Sequence, residues 1–154
     1  MGNRGLAWLV VAHLLLAACA TSASSIQVLS VRDLNAGAAS FDGKAVRVRG
    51  YLLLGTNGRS LYQSEARFAE WKKDLFGPNP TNFDAYANDC ITLMNVDAFF
   101  DHVELLGERA VSVEGTFVKD FFGPDVVDGQ RCMSRPSALI ATDTSVKAVI
   151  RQAR

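Results

Sequence analysis

The chain has 154 residues, which is the length of one ordinary domain. Hydrophobic residues make up 49% of it, so the chain can bury a core and does not have the composition of a disordered protein. The 16 Lys and Arg residues balance the 16 Asp and Glu residues and are scattered along the chain. This balance argues against a domain that binds nucleic acid or anionic lipid through a strong basic field.

Residues 1–18 have the pattern of an export signal. Arg4 supplies a positive charge, and residues 5–16, "GLAWLVVAHLLL", form an apolar segment. This segment is shorter than the roughly 20 apolar residues that a membrane-spanning helix needs. The sequence "LAAC", which ends at Cys19, follows and resembles the lipobox of bacterial lipoproteins.

The lipobox resemblance implies cleavage before Cys19 and a lipid anchor on that cysteine. Ala20 stands where an Asp would retain such a lipoprotein in the inner membrane. The resemblance therefore implies an outer-membrane anchor that faces the periplasm. Residues 19–27 are mostly small and polar, so we expect a flexible tether. The alternative is an ordinary signal peptide cut at the Ala-x-Ala site around Cys19, which would release a soluble periplasmic protein.

A single domain is expected over residues 28–154, and its first element is a helix. Ser30 and Asp33 have the spacing of a capping box. Apolar residues follow at helical spacing until Asp42-Gly43, which is a stop signal. These apolar residues are Val31, Leu34, Ala38 and Phe41.

The segment "GKAVRVRGYLLL", residues 43–54, predicts a long strand. Apolar residues alternate with Arg47, Arg49 and Tyr51, as on a half-buried strand. Gly50 in its middle indicates a bulge or a sharp coil. The turn sequence "GTNG" then predicts a hairpin, and residues 59–64 are the expected returning strand.

Helical spacing returns after the hairpin. Residues 64–76 predict a helix. Glu65 in its first turn and two lysines near its end match the helix dipole. The next segment, "NPTNFDAYAND", is expected to be an irregular loop. A third strand is predicted over residues 90–96.

The second half of the domain repeats part of the first. Asp97 is expected to cap a helix with a buried stripe of Phe99, Val103 and Leu106. The segment "GERAVSVEGTFV", residues 107–118, then repeats the Ala-Val-x-Val-x-Gly pattern of the first long strand. A long loop over residues 119–136 leads to a last strand near Ser137. The tail from Ser145 is expected to extend that strand or to form a short helix.

The order of the predicted elements is three strands, a helix and two strands. It resembles the OB-fold, a five-stranded and partly open Greek-key barrel. Over residues 42–148 the resemblance implies a mainly β fold, with an N-terminal helix and a helical insertion between strands two and three as additions. In that fold the first and fourth strands are long, coiled and antiparallel neighbours. We therefore expect Gly50 and Gly115 to do the same geometric job where the two strands curve most.

Cys90 and Cys132 are expected to form a disulfide. Export would place them in an oxidising compartment, where a bridge is the usual state of a matched pair. In the OB-fold the third and fifth strands also run side by side, which implies that both cysteines lie at one end of the barrel. The bridge would join the two long insertions into an aromatic cap. The alternative is two separate buried thiols.

No motif in the chain indicates catalysis, a metal or a cofactor. Gly-x-Ser-x-Gly, His-Glu-x-x-His and a phosphate-binding glycine loop do not occur. His102 is expected to be a solvated surface residue. Asp125 and Asp128 lack the spacing of an EF-hand calcium loop.

The candidate ligand-binding residues are basic or aromatic, although such residues are more often ordinary surface or core positions. They suit single-stranded nucleic acid in some OB-folds, but the expected compartment argues against that partner. We expect a non-catalytic cell-envelope lipoprotein that binds a protein, peptide or glycan. The alternative is a periplasmic enzyme or ligand-processing protein, which would show a deep pocket with converging polar groups. The candidates are Arg47, Arg49, Tyr62, Trp71, Phe121 and Phe122.

Overall fold

A computed structural model describes residues 26–55, 58–78, 83–123, 132 and 135–153. The export signal, Cys19 and most of the tether lie outside these residues, as do Asp125 and Asp128. The expectations for those positions therefore stay predictions. None of the helices in the described ranges has the length and hydropathy that a bilayer-spanning segment requires.

The described residues form strands linked by short helices. The strands are β1 (Val28–Ser30), β2 (Ala45–Gly55), β3 (Gly58–Tyr62), β4 (Cys90–Met94), β5 (Arg109–Val118) and β6 (Ala138–Ala141). The helices are α1 (Val31–Ala36), α2 (Ala38–Phe41), α3 (Glu65–Leu75), α4 (Asp97–Phe100), α5 (Val103–Leu106) and α6 (Asp143–Ala153). A 3-10 helix, Phe83–Asp89, leads directly into β4.

Five of the strands close a mixed β-barrel. Antiparallel pairs join β2 to β3, β3 to β4, β5 to β6 and β2 to β5, whereas β4 and β6 are parallel. The antiparallel pairing of the two long strands, which the repeated sequence predicts, is confirmed. The additional strand β1 runs parallel to the first half of β2. It was not predicted, because three residues are too few to show a period.

The core lies inside the barrel and under two helices. Val46, Val48 and Leu52 of β2 are buried, which confirms the predicted alternation along that strand. Helices α1 and α6 add further apolar side chains to the same cluster, among them Leu34 and Val149. Burying each such side chain contributes roughly 1.5–3 kcal/mol, so this cluster is the main source of the barrel's stability.

Gly50 and Gly115 lie where the long strands change neighbours. β2 pairs with β1 up to Arg49 and with β3 from Tyr51 onward. A Cβ on Gly50 would lie 2.6 Å from Cγ of Leu61 and would also collide with the Tyr62 carbonyl oxygen. The β5–β6 pairing begins at Gly115, where a Cβ would lie 2.8 Å from a backbone carbonyl carbon of β6. The repeated glycine thus marks two close backbone approaches.

Two predicted helices are each divided in the structure. The N-terminal one has the predicted cap, because the Asp33 N–H donates to Oγ of Ser30 at 3.1 Å. It breaks at Gly37, since glycine is a poor helix former. The helix expected over residues 97–107 is two single turns without a side-chain cap, and Val103 is 38% exposed, so its place in the buried stripe was wrong.

The remaining segments match the sequence patterns to different degrees. Helix α3 lies within the range predicted for it, and the Ser64 side chain, whose role was not predicted, caps it. The segment expected to be an irregular loop is helical over Phe83–Asp89, because partners distant in sequence hold its end. The tail forms helix α6 from Asp143 and does not extend β6.

Candidate functional site

An open cleft lies over the outer face of β2 and β5, and we call it the β2–β5 cleft. Arg49 faces Ser112, and Tyr51 faces Ala110, across the paired strands that form its floor. Its volume is about 570 Å³, within the range of small-ligand sites. The small side chain at Ala110 leaves room above the floor.

The walls of the cleft come from three other parts of the fold. Ser64 and Glu65 at the start of α3 form one wall, and Gln152 of α6 contributes to another. Glu108 and Arg109 lie where β5 begins. A second cavity of about 390 Å³ shares Arg49 and continues along α6. The cleft is therefore built from elements that are far apart in sequence.

Arg47 and Arg49 share one strand face but differ in their partners. Nε and Nη2 of Arg47 both donate to Glu114, the residue directly opposite on β5. Arg49 is opposite Ser112, and among the described residues no hydrogen bond or ion pair involves its guanidinium. The Ser112 Oγ is buried and also lacks a partner there. Of the two arginines, only Arg49 therefore has a guanidinium without a partner among the described residues.

Three more charged residues line the cleft: Arg109, Glu65 and Glu108. Within the described ranges none of them forms an ion pair, with each other or with Arg49. Burial, together with the carboxylates of Glu108 and Glu65, raises the pKa of Tyr51. The two carboxylates thus approach the tyrosine end of the floor.

The backbone of Glu108 has a left-handed conformation, with φ at 53°. This conformation is strained for a residue with a side chain and persists only where the surroundings enforce it. Glu108 follows the turn that ends α5 and directly precedes β5. The strain therefore lies at the end of the cleft.

The opposite outer face, over β3 and β4, is covered. Phe68 of α3 lies 4.9 Å from Tyr62 and 5.8 Å from Trp71, measured between ring centroids. The predicted disulfide between Cys90 and Cys132 is confirmed, with Cα atoms 5.9 Å apart, and it packs into the same cluster. Tyr51 belongs to the same cluster, and we call Tyr51, Tyr62, Phe68, Trp71, Cys90 and Cys132 the aromatic cluster.

The sequence candidates fall into three places in the structure. Arg47 and Arg49 lie on the open face. Tyr62 is only 5% exposed within the aromatic cluster, and the buried Nε1–H of Trp71 lacks a partner among the described residues. Phe121 packs edge-on against Phe122, 5.0 Å away, after the end of β5. Phe76 follows α3 in the insertion that the bridge was expected to join into an aromatic cap, but it is 77% exposed and the bridge does not bury it.

A buried carboxylate at Asp89 was not found from the sequence. Its side chain is 3% exposed and accepts hydrogen bonds from Nε of Arg32 at 2.9 Å and Nε of Arg67 at 2.8 Å. Arg67 also pairs with Glu70. The contacts join α1 and α3 to the 3-10 helix. They span 57 and 22 residues, so no local pattern could indicate them.

His102 lies at a separate shallow cavity of about 330 Å³ beside α4 and α5. In the part of the chain that the structure describes, no three His, Cys, Asp or Glu side chains are arranged to hold a metal ion. The polar groups that one cavity brings together include Arg49, Ser112, Tyr51, Glu65, Glu108 and Arg109.

No family model, curated protein or solved structure matches this chain. The geometry and charges of the β2–β5 cleft are therefore the basis for inferring its function.

Proposed function

We propose that the chain is a bacterial cell-envelope lipoprotein whose barrel is a non-catalytic binding module. The β2–β5 cleft is the binding site, for a peptide, glycan or protein segment of the envelope. The observation that carries this proposal is the unpaired Arg49 beside the unpaired Ser112 on an open floor. Polar groups that the fold leaves without partners are available to a ligand.

The barrel belongs in this proposal to the OB-fold class. Three features support the assignment: the strand order β2-β3-β4-β6-β5, the closure of β5 onto β2 and the parallel β4–β6 pair. OB-folds usually bind ligands over the second and third strands, which are β3 and β4 here. The aromatic cluster covers that face. The binding site is accordingly on the β2–β5 face.

The lipid anchor of the proposal is at Cys19, within the lipobox "LAAC". It would hold the domain at the outer membrane, on the periplasmic side. Mass spectrometry of the native N-terminus should find a lipid on Cys19 and no residue before it. An unmodified N-terminus at Thr21 or later would contradict the anchor and leave the soluble periplasmic alternative.

Site-specific photo-crosslinking in native envelopes tests the binding site. A photoreactive amino acid at Ala110, an exposed position on the cleft floor, should give a discrete adduct. The same probe at the exposed Asp101, which lies at the separate cavity, should not. Arg49→Gln should reduce the Ala110 adduct. Equal labelling from both positions would contradict a binding site in the cleft.

An enzymatic role is the second candidate, and one observation favours it. Glu65 and Glu108 line the same cleft beside Tyr51. Most glycoside hydrolases use a pair of carboxylates as their catalytic groups. The test is the release of products from envelope glycan strands by the purified protein. If Glu65→Gln and Glu108→Gln each abolish this release, the cleft is an active site. Turnover that survives in either variant would contradict this role.

A further inference from the structure

The charges of the β2–β5 cleft indicate the chemical class of its ligand. We propose that the cleft binds a small zwitterion of the dipeptide class, with its carboxylate at Arg49 and Ser112 and its ammonium between Glu65 and Glu108. The inference rests on the proposed function, because it requires the cleft to be a binding site.

The absence of ion pairs among the described charged residues of the cleft is the first argument. Elsewhere in the described chain several arginines are neutralised by carboxylates, as in the pairs of Arg47 with Glu114 and of Arg67 with Asp89. In the cleft, two cations and two anions line one cavity, and no ion pair joins them in the ranges that the structure describes. Each group is therefore available to an opposite charge on a ligand.

The anionic group of the ligand has a defined place. Arg49 and Ser112 are directly opposite on antiparallel strands, where Cα atoms lie roughly 4.5–5.5 Å apart. A guanidinium and a hydroxyl at that spacing can each donate to one oxygen of a single carboxylate. The buried and unpartnered Ser112 Oγ would then gain its missing hydrogen bond.

The cationic group of the ligand has a place about two residues along the floor. Glu65 at the start of α3 and Glu108 directly before β5 line the cleft together with Tyr51, which follows Arg49 by two positions on β2. Two residues of a strand span roughly 6.6 Å. The terminal N and C atoms of an extended dipeptide are at most about 6.8 Å apart. The two ends of the floor are thus spaced for the two ends of a dipeptide.

The mixed charge also excludes simpler ligand classes. A polyanion would place negative groups against Glu65 and Glu108, and a polycation would place positive groups against Arg49 and Arg109. A ligand with one charge of each sign meets an opposite charge both at Arg49 and at the two carboxylates. The volume of about 570 Å³ is enough for a ligand of this size.

Calorimetric titration of the purified full chain in detergent tests the ligand class. The probes are alanyl-alanine, its N-acetyl derivative, its C-terminal amide and inorganic phosphate. The zwitterion should bind at least about tenfold more tightly than either blocked form, because each loses one charge-assisted contact. Phosphate should bind no more tightly than the N-acetyl form. Equal affinity for all four probes would overturn the proposal.

Matched variants assign each end of the ligand. Arg49→Gln should weaken alanyl-alanine and its N-acetyl form about tenfold and leave the amide unchanged. Glu108→Gln should weaken alanyl-alanine and the amide and leave the N-acetyl form unchanged. Arg47→Gln is the control, since Arg47 lies on the same face but is paired with Glu114. Equal effects of the Arg47 and Arg49 variants would overturn the assignment.

The two proposals fail in distinguishable ways. If no probe binds but the Ala110 crosslink still depends on Arg49, the dipeptide class is wrong and the binding site stands. If the crosslink is also absent, the proposed function fails as well. Thermal melts that coincide with that of the parent chain show that the exposed substitutions leave the fold intact.

Discussion

The β3–β4 face of the barrel is covered by the chain's own insertion, whereas the β2–β5 face is open. Tyr51 and Tyr62 are directly opposite on adjacent strands and mark the boundary between the two faces. On the covered side, Phe68 and Trp71 pack over the disulfide. On the open side, charged side chains line a cleft. The insertion that carries α3 therefore decides which face stays available.

The two faces should therefore differ in what they contribute. Buried aromatic and aliphatic side chains contribute roughly 1.5–3 kcal/mol each to folding. Exposed charges contribute roughly 0–1 kcal/mol even when they are paired. Substitutions on the covered face should lower stability and leave binding unchanged. Substitutions in the cleft should do the reverse.

Removing the disulfide should have the largest effect. The bridge closes a segment of 42 residues, and on the chain-entropy model its loss through Cys132→Ser lowers stability by about 3–4 kcal/mol. Denaturant unfolding of both proteins measures this. Where the variant is folded, its affinity for alanyl-alanine should equal that of the parent chain. A large loss of affinity would mean that the two faces are not separate.

The ionisation of Tyr62 should make the covered face sensitive to alkali. Burial raises the pKa of Tyr62 from 10.0 to about 12. Because the folded protein favours the neutral phenol, its contribution is complete below pH 10 and is lost as the pH rises through 12. The loss is about 2–3 kcal/mol. Unfolding curves at pH 9–12 measure this loss. Tyr62→Phe should remove the Tyr62 part of the alkaline destabilisation, whereas Tyr51→Phe should leave that part unchanged.

The two repeated glycines should be sensitive on both sides of the barrel. Alanine at Gly50 or Gly115 places a Cβ against backbone atoms of the next strand, and we expect a loss of about 1–3 kcal/mol for each. Gly123→Ala is the control, because no atom lies within 4 Å of its Cβ position. Thermal melts in which all three variants behave alike would remove the geometric explanation of the repeat.

Asp89→Asn should have the smallest of these effects and the most local one. It weakens the contacts of Arg32 and Arg67 and should cost about 1–2 kcal/mol. Asp97→Asn is the control, since Asp97 is 91% exposed and 3.4 Å from its arginine partner. Amide hydrogen exchange should increase in α3, which forms one wall of the cleft, and not in α6. Uniform exchange across both helices would show that Asp89 does not hold α3 specifically.

Local sequence patterns were enough for the five strands of the barrel and for the starts of α1 and α3. Alternation along β2 identified its buried residues, the hydroxyl of Ser30 identified the cap of α1, and the acidic start and basic end of α3 indicated that helix. The repeated Ala-Val-x-Val-x-Gly pattern indicated the antiparallel pairing of β2 and β5. Each signal involves residues close in sequence or one simple repeat, so propensity and periodicity suffice to detect it.

The candidate site could be predicted only in part. The sequence placed Arg47 and Arg49 on one strand face, since residues two apart in a strand share a face. It could not show that Glu114 neutralises one and Ser112 leaves the other free. That difference depends on the register between strands distant in sequence. Tyr62 was expected to be available on its strand, but the fold of α3 across β3 buries it.

The sequence by itself determined which residues of β2 point inward, where the long strands coil and which two cysteines pair. The tertiary structure alone decided which outer face is covered, which arginine is free and that Asp89 ties α1 to α3. The physical reason is the distance along the sequence over which each kind of interaction acts. Side-chain period and capping act over a few residues, whereas burial and ion pairing depend on which distant segments meet when the barrel closes.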